Sequence, residues 1–127
     1  MTTVNVRYIV RDVEEAIAFY TAHLGFEVQM SPGPGFARLA RADLRLLLNT
    51  VGGSGGAAQA MPDGRRPEPG GWNRIQIEVH DLPALVEQLR SGGAHFRNDI
   101  VSGNGGKQIL LEDPSGNLIE LFEPYQE

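Results

Sequence analysis

The sequence Val-Arg-Asp-Val at positions 10–13 returns in closely related form as Val-His-Asp-Leu at positions 79–82. Each copy follows a stretch in which apolar and polar residues alternate, and each precedes a stretch with apolar residues at helical spacing. Alternation with a period of two is typical of a strand, and Asp at such a boundary is typical of a helix N-cap. Both copies are therefore predicted to be strand-to-helix junctions, and the chain is predicted to contain an internal duplication.

The first copy belongs to a module with one helix and four strands. Its first strand is predicted at 4–10 and its helix at 13–24, with Glu15 completing a capping box and Gly25 in the left-handed position after the helix. Further strand-like runs are predicted at 26–30, 36–40 and 44–49. The predicted order of elements is β-α-β-β-β.

The second copy belongs to a module of the same kind. Ile75, Ile77 and Val79 alternate with polar residues, Asp81 caps the next helix, and the pair Gly92-Gly93 ends it. The strand-like runs that follow lie at 95–100, 106–112 and 118–122. We therefore expect a single α+β domain over residues 1–127, made of a first βαβββ module at 1–50, a linker at 51–71 and a second βαβββ module at 72–127.

The stretch from 51 to 71 is rich in Gly, Ala and Pro. A loop of this length inside a compact domain usually has a function or lacks fixed structure. Two interpretations stay open. The stretch is a flexible linker between the modules, or it is a lid whose Met61, Arg65 and Arg66, together with the adjacent Trp72, contact a ligand.

Composition excludes several classes of partner. The formal net charge is -5 and the basic residues are scattered, which argues against nucleic acid, because binding to phosphates draws on clustered Lys and Arg. The chain has no cysteine, which excludes disulfides and thiolate metal sites. No long apolar run occurs, so neither a signal peptide nor a membrane span is expected and the cytoplasm is the expected location.

The two modules resemble the vicinal oxygen chelate superfamily, which includes glyoxalase I, extradiol dioxygenases and bleomycin-resistance proteins. The resemblance rests on the helix entry at 12–20 with Leu-Gly-Phe at 24–26, and on the closing stretch Glu-Asp-Pro-Ser-Gly-Asn-Leu-Ile-Glu-Leu at 112–121. It covers nearly the whole chain. It implies two modules that form a curved mixed sheet around a cleft, and a homodimer with sites formed across both chains. This fold hosts both enzymes and binding proteins.

The resemblance also implies where a divalent metal would be held. The family's ligands lie on the first strand of each module, seven residues before the capping Asp, and on the last strand of each module. Here those places hold Asn5, Arg74, a residue within 45–48, and Glu120. Only Glu120 matches the family's ligand type, and Arg74 is a cation that cannot bind a metal. We therefore expect no metal cofactor and instead an ion pair between Arg74 and Glu120.

Other chemistry finds little support in the sequence. His23, His80 and His95 are predicted to be surface or capping residues, with His80 the one that approaches the cavity. No Ser or Thr has the setting of a nucleophile and no Cys is present, so no catalytic residue is assigned. A general base at Glu78 or Glu120 would be opposed by the neighbouring Arg.

The first strands of both modules carry polar residues on the face opposite their apolar residues. If Asn5 and Arg74 face a cleft, alternation brings further polar residues to the same side, while aromatic residues supply flat walls. The alternative is that these residues face water or a dimer partner. The predicted ligand-binding residues are Asn5, Arg7, Phe36, Leu47, Trp72, Arg74, Gln76, Glu78 and Glu120.

These residues favour a metal-free binding protein, similar to the bleomycin-resistance proteins, that sequesters an antibiotic or another aromatic natural product and thereby confers resistance. Two alternatives stay open. The first is a lyase, isomerase or dioxygenase with a divalent metal bound at Glu120, and the second is an accessory module without a small ligand. Metal content distinguishes the first alternative from binding alone.

Overall fold

The computed structural model describes residues 3–53 and 56–126, and the chain divides into two units, Met1–Gly70 and Gly71–Glu127. In its described residues each unit contains one α-helix and one mixed sheet, so the predicted α+β class and the duplication are confirmed. Within the described ranges no helix is long and apolar enough to cross a bilayer.

The first module has the predicted β-α-β-β-β order. Its sheet has the strand order β1-β4-β3-β2, with β1 parallel to β4 and the other neighbours antiparallel. Its elements are β1 (Val4–Val10), α1 (Val13–His23), β2 (Glu27–Gly33), β3 (Phe36–Arg41) and β4 (Leu44–Thr50).

Helix α1 begins and ends where the sequence predicts. The side chain of Asp12 accepts a hydrogen bond from the backbone N–H of Glu15, as an N-cap does, and Gly25 has a φ of +72° just after the helix. The helix covers one face of the sheet through β3 and β4. The buried residues of this core include Val10, Val13, Ala16, Tyr20, Leu39, Leu46 and Leu48.

The second module repeats this plan with one more strand. Its main sheet order is β5-β9-β8-β6, β7 also pairs with β8, and β5 runs parallel to β9. Its elements are β5 (Arg74–Glu78), α2 (Leu82–Ser91), β6 (His95–Phe96), β7 (Val101–Ser102), β8 (Gly106–Glu112) and β9 (Leu118–Pro124).

The predicted strand at 95–100 is wrong as a continuous element. Only its first two residues form a strand, β6, and β7 begins just after the predicted run; both short strands pair with β8. The cause lies at Asn98, whose side-chain Oδ1 accepts the backbone N–H of Leu110 at 2.9 Å. A side-chain acceptor thereby replaces a main-chain carbonyl, and the ladder of backbone hydrogen bonds is interrupted.

The linker is not without structure where it is described. A short 3-10 helix at Gly56–Ala58 buries Ala58, and the Ala58 carbonyl accepts the N–H of Gly52. The described part of 51–70 belongs to the first unit. Residues 54 and 55 of the predicted linker, and the chain ends at 1–2 and 127, lie outside the described residues.

The turn between β8 and β9 is organised by a buried carboxylate. Asp113 is 4% exposed, and its Oδ1 accepts the backbone N–H groups of Ser115 and Asn117, both at 2.9 Å. Its Oδ2 accepts the amide of Asn117 at 3.0 Å. One side chain therefore satisfies three donors in the hairpin.

Asp113→Ala is expected to lower the free energy of unfolding by about 2 kcal/mol, because the turn donors lose their acceptor in a buried place. Urea denaturation followed by circular dichroism measures the loss. Asp99→Ala serves as the control, since the Asp99 side chain is 96% exposed and only its pairing with Arg90 is lost. Equal stability of the two variants would contradict the role given to Asp113.

Candidate functional site

In each module the face of the sheet opposite the helix carries the predicted site residues. We call these surfaces the polar face of the first module and the polar face of the second module. The first includes Asn5, Arg7, Phe36, Arg38, Leu47 and Asn49, and the second includes Arg74, Gln76, Glu78, Leu110 and Glu120. The assignment follows from register, since directly paired residues on neighbouring strands share a face.

Glu120 is the centre of the polar face of the second module. It is 7% exposed, and both of its carboxylate oxygens are occupied. Oε1 accepts from Arg74 Nε at 3.1 Å and from Arg74 Nη2 at 2.9 Å, while Oε2 accepts from Gln76 Nε2 at 2.6 Å. The predicted ion pair is therefore present, although both guanidinium bonds go to one oxygen and Gln76 holds the other.

This arrangement does not fit a divalent metal. At the four places implied for ligands, Arg74 is a cation that donates to Glu120, and Asn5 is a neutral donor. Register identifies the fourth place, because Leu47 pairs with Arg7 as Glu120 pairs with Gln76, and leucine has no ligand atom. Within the described ranges no group of three His, Asp or Glu side chains is placed to hold an ion.

Trp72 stands beside this network at the surface. It is 69% exposed, its carbonyl accepts from Arg74 Nη1 at 3.3 Å, and the guanidinium of Arg97 lies 5.5 Å from its ring centroid. That distance is typical of a cation–π contact. The indole is thus held against a cation, and its other surface is available to a flat ligand.

Glu78 is separate from the Glu120 network. It pairs in register with Phe122 and lines a cavity of about 660 Å³ together with His80, Asp81 and Tyr125. In the first module, Phe36 lines a cavity of about 700 Å³ with Asp12. Both cavities thus lie at the duplicated strand-to-helix junction of their module.

The structure brings Asn5, Arg7 and Leu47 together on the polar face of the first module. Asn5 pairs with Arg45, and Arg7 pairs with Leu47. Arg45 is turned back on its own hairpin, with Nη1 donating to the carbonyl of Ala42 at 2.7 Å.

The sequence-based prediction omitted two polar residues of this face, Arg38 and Asn49. Asn49 is 3% exposed, and its Oδ1 has no hydrogen-bond partner. Arg38 Nε is also buried without a partner. Alternation from Phe36 already places Arg38 on this face, which is the signal by which the sequence could have indicated it.

A family model for the Glyoxalase/Bleomycin resistance protein/Dioxygenase superfamily matches residues 3–121 of the chain. The chain belongs to this superfamily. Membership does not by itself fix the chemistry, because one fold can carry both catalysts and binding proteins. No functionally curated protein matches the sequence.

Solved structures of the superfamily fold resemble the chain along its whole length. TnmS3, an antibiotic binding protein from a Streptomyces species, has a TM-score of 0.72 and 24% identity, covering 98% of this chain and 97% of its own. Lactoylglutathione lyase from Agrobacterium tumefaciens has a TM-score of 0.75 and 19% identity, covering 96% and 92%. A superfamily member from Sphaerobacter thermophilus has a TM-score of 0.75 and 26% identity, covering 97% of both chains.

Proposed function

We propose that this chain binds a small organic molecule without a metal ion and sequesters it, and that the molecule is an antibiotic or another aromatic natural product. The observation that carries the proposal is the occupation of both Glu120 oxygens by Arg74 and Gln76. A carboxylate neutralised in this way does not attract a divalent cation, since the guanidinium stands where the ion would lie. The fold shared with the antibiotic binding protein TnmS3 supports the choice of ligand class.

Trp72 gives the proposal a direct optical readout. It is the chain's single tryptophan and is 69% exposed beside the Glu120 network. Aromatic antibiotics that stack on it are expected to quench its fluorescence saturably, with the same dissociation constant in the presence and absence of EDTA. Free N-acetyltryptophanamide corrects for light absorbed by the antibiotic. Mass spectrometry of the recovered ligand is expected to show unchanged mass.

Protein purified without a tag is expected to bind no metal. The expectation follows because, among the described residues, no group of three His, Asp or Glu side chains is placed to hold an ion. Isothermal calorimetry with Ni²⁺, Zn²⁺ and Fe²⁺ measures metal binding. Glu120→Gln is the matched control, because it removes the charge and keeps the shape. One ion bound per chain in the natural sequence and lost in the control would overturn the proposal and favour a metal-dependent lyase, isomerase or dioxygenase.

The symmetric homodimer implied by the family resemblance belongs to the same proposal. Sedimentation equilibrium measures the mass of the particle, with and without the ligand found by fluorescence. A monomer under both conditions would remove the dimer from the proposal and leave ligand binding to the single chain.

A further inference from the structure

The polar face of the first module carries two arginines in one row. Arg7 on β1 pairs in register with Leu47 on β4, and Leu47 pairs in turn with Arg38 on β3. Directly paired residues point to the same side of a sheet, so the two guanidinium groups lie on either side of Leu47. The row therefore brings two permanent positive charges to one side of the sheet.

The matching row of the second module carries a negative charge at its centre. There Gln76 pairs with Glu120, and Glu120 pairs with Leu110. The duplicated register makes Leu47 the counterpart of Glu120. In the second module a carboxylate is supplied by the chain itself and is neutralised by Arg74. In the first module Leu47 holds the central place, and Arg7 and Arg38 stand at the places of Gln76 and Leu110.

The charges of the first row have no internal counterpart. In the described ranges 3–53 and 56–126, neither Arg7 nor Arg38 forms an ion pair with a carboxylate. Glu27, on the edge strand β2, also lies on this face, but it pairs in register with Ala40 in the adjacent row. The network seen around Glu120 thus has no equivalent around Leu47.

Two buried polar atoms next to this row also lack partners. Arg38 Nε is a donor without an acceptor, and Asn49 Oδ1 is an acceptor without a donor. Asn49 is 3% exposed and pairs with Phe36, which makes it a diagonal neighbour of Arg38 across β3 and β4. Buried polar groups are almost always satisfied, and an unsatisfied group calls for a missing partner. A donor and an acceptor in diagonal positions of one sheet face point to a ligand with both kinds of group.

We propose that the polar face of the first module binds an organic acid whose carboxylate lies between Arg7 and Arg38 and whose neighbouring N–H or O–H group donates to Asn49 Oδ1. The inference rests on the proposed function and gives the chemical class of a ligand bound by the first module alone, so its test follows Arg7 and Arg38 directly and not Trp72. Guanidinium groups bind carboxylates with two parallel hydrogen bonds, and Phe36 provides an aromatic wall in the adjacent row. The ligand's carboxylate lies over Leu47, which is the counterpart of Glu120 in the second module.

The first test compares an aromatic acid with its neutral analogue. The probes are 3-hydroxy-2-naphthoate and 3-hydroxy-2-naphthamide, followed by ¹H–¹⁵N correlation spectra that include the arginine Nε–H groups. The acid is expected to bind at least about tenfold more tightly than the amide at equal ionic strength, and to shift the Nε–H signals of Arg7 and Arg38. Arg38→Gln and Arg7→Gln are each expected to remove most of this preference.

Arg90→Gln is the matched control, because Arg90 lies on α2 and pairs with the exposed Asp99. It lowers the net charge by the same amount and is expected to leave the affinity for the acid unchanged. An equal loss of affinity in this control would mean general attraction of anions, and it would overturn the proposed site.

The second test introduces into the first module, at position 47, the carboxylate that the second module has at the matching position 120. Leu47→Glu places a carboxylate between Arg7 and Arg38 and is expected to abolish binding of the acid, whereas Leu47→Gln, which has the same size and no charge, is expected to weaken it much less. Circular dichroism confirms that both variants are folded. Loss in both variants, or in neither, would overturn the inference.

These outcomes are distinguishable from failure of the proposed function. Equal affinity for the acid and the amide, or no binding of the acid at millimolar concentration, overturns the charged-ligand inference while metal-free binding of neutral aromatic antibiotics still stands. Stoichiometric metal bound through Glu120 overturns the proposed function, whichever probe is preferred.

Discussion

Gly106→Ala is expected to lower the free energy of unfolding by about 3 kcal/mol or more. A Cβ atom at this position would lie 2.2 Å from the carbonyl oxygen of Glu123 and 2.9 Å from both Phe122 Cζ and Pro124 Cα. Two of these three atoms belong to the backbone of β9, so a rotamer change cannot relieve the clash. Strands β8 and β9, which form the middle of the second sheet, would have to move apart at this end.

The neighbouring glycine supplies a matched control for this prediction. A Cβ atom at Gly105 would approach Phe122 Cζ no closer than 3.8 Å, which is ordinary van der Waals contact. Neither glycine has a positive φ, so alanine introduces no backbone strain at either position. Urea denaturation is expected to show Gly105→Ala near the natural stability and Gly106→Ala far below it. Similar stabilities would mean that the two strands are not held this closely.

Arg74→Ala is expected to lower the free energy of unfolding by about 3 kcal/mol, because it leaves the Glu120 carboxylate without its cation. The side chain of Glu120 is 10% exposed and that of Arg74 is 29% exposed. Water can reach part of the site, which places the expected cost at the lower end of the range for buried pairs. Chemical denaturation at neutral pH and at two salt concentrations measures it.

The double variant Arg74→Met, Glu120→Leu shows how much stability is lost when both charges of the pair are removed, compared with the removal of Arg74 alone. Apolar residues of similar size remove both charges, so no carboxylate stays buried alone, and the stability is expected to return to within about 1 kcal/mol of the natural chain. Gln76 lies on the exposed side of the strand and its amide can be hydrated. An Arg74→Ala variant as stable as the natural chain would show that Glu120 does not depend on Arg74 for its charge balance.

Much of the fold was predictable because it depends on short-range patterns. The alternation along 4–10, the capping residues Asp12 and Asp81, and the positive φ of Gly25 concern residues within a few positions of one another. The strand at 95–100 was mispredicted for the opposite reason. Asn98 interrupts it by accepting a hydrogen bond from Leu110, twelve positions away, and no local pattern reports such a partner.

The candidate site, too, was predictable only in part. The family resemblance implies where metal ligands would meet, and counting from the capping Asp to those places was enough to predict that Arg74 and Glu120 lie together. The chain alone left the fourth position open over 45–48, and the register of β1 and β4 assigned it to Leu47.

The sequence by itself determined the duplication and the helix starts, because each is a matter of residue type at a counted position, and the family resemblance added the prediction that Asn5 and Arg74 stand at places implied for metal ligands. Only the tertiary structure decided that Gln76 donates a hydrogen bond to the second oxygen of Glu120. It also decided that, among the described residues, Arg38 and Asn49 have buried atoms without hydrogen-bond partners. Burial and hydrogen bonding are properties of the atoms that surround a group. For a strand residue most of those atoms come from neighbouring strands, and their positions are set by the register in which the sheet assembles.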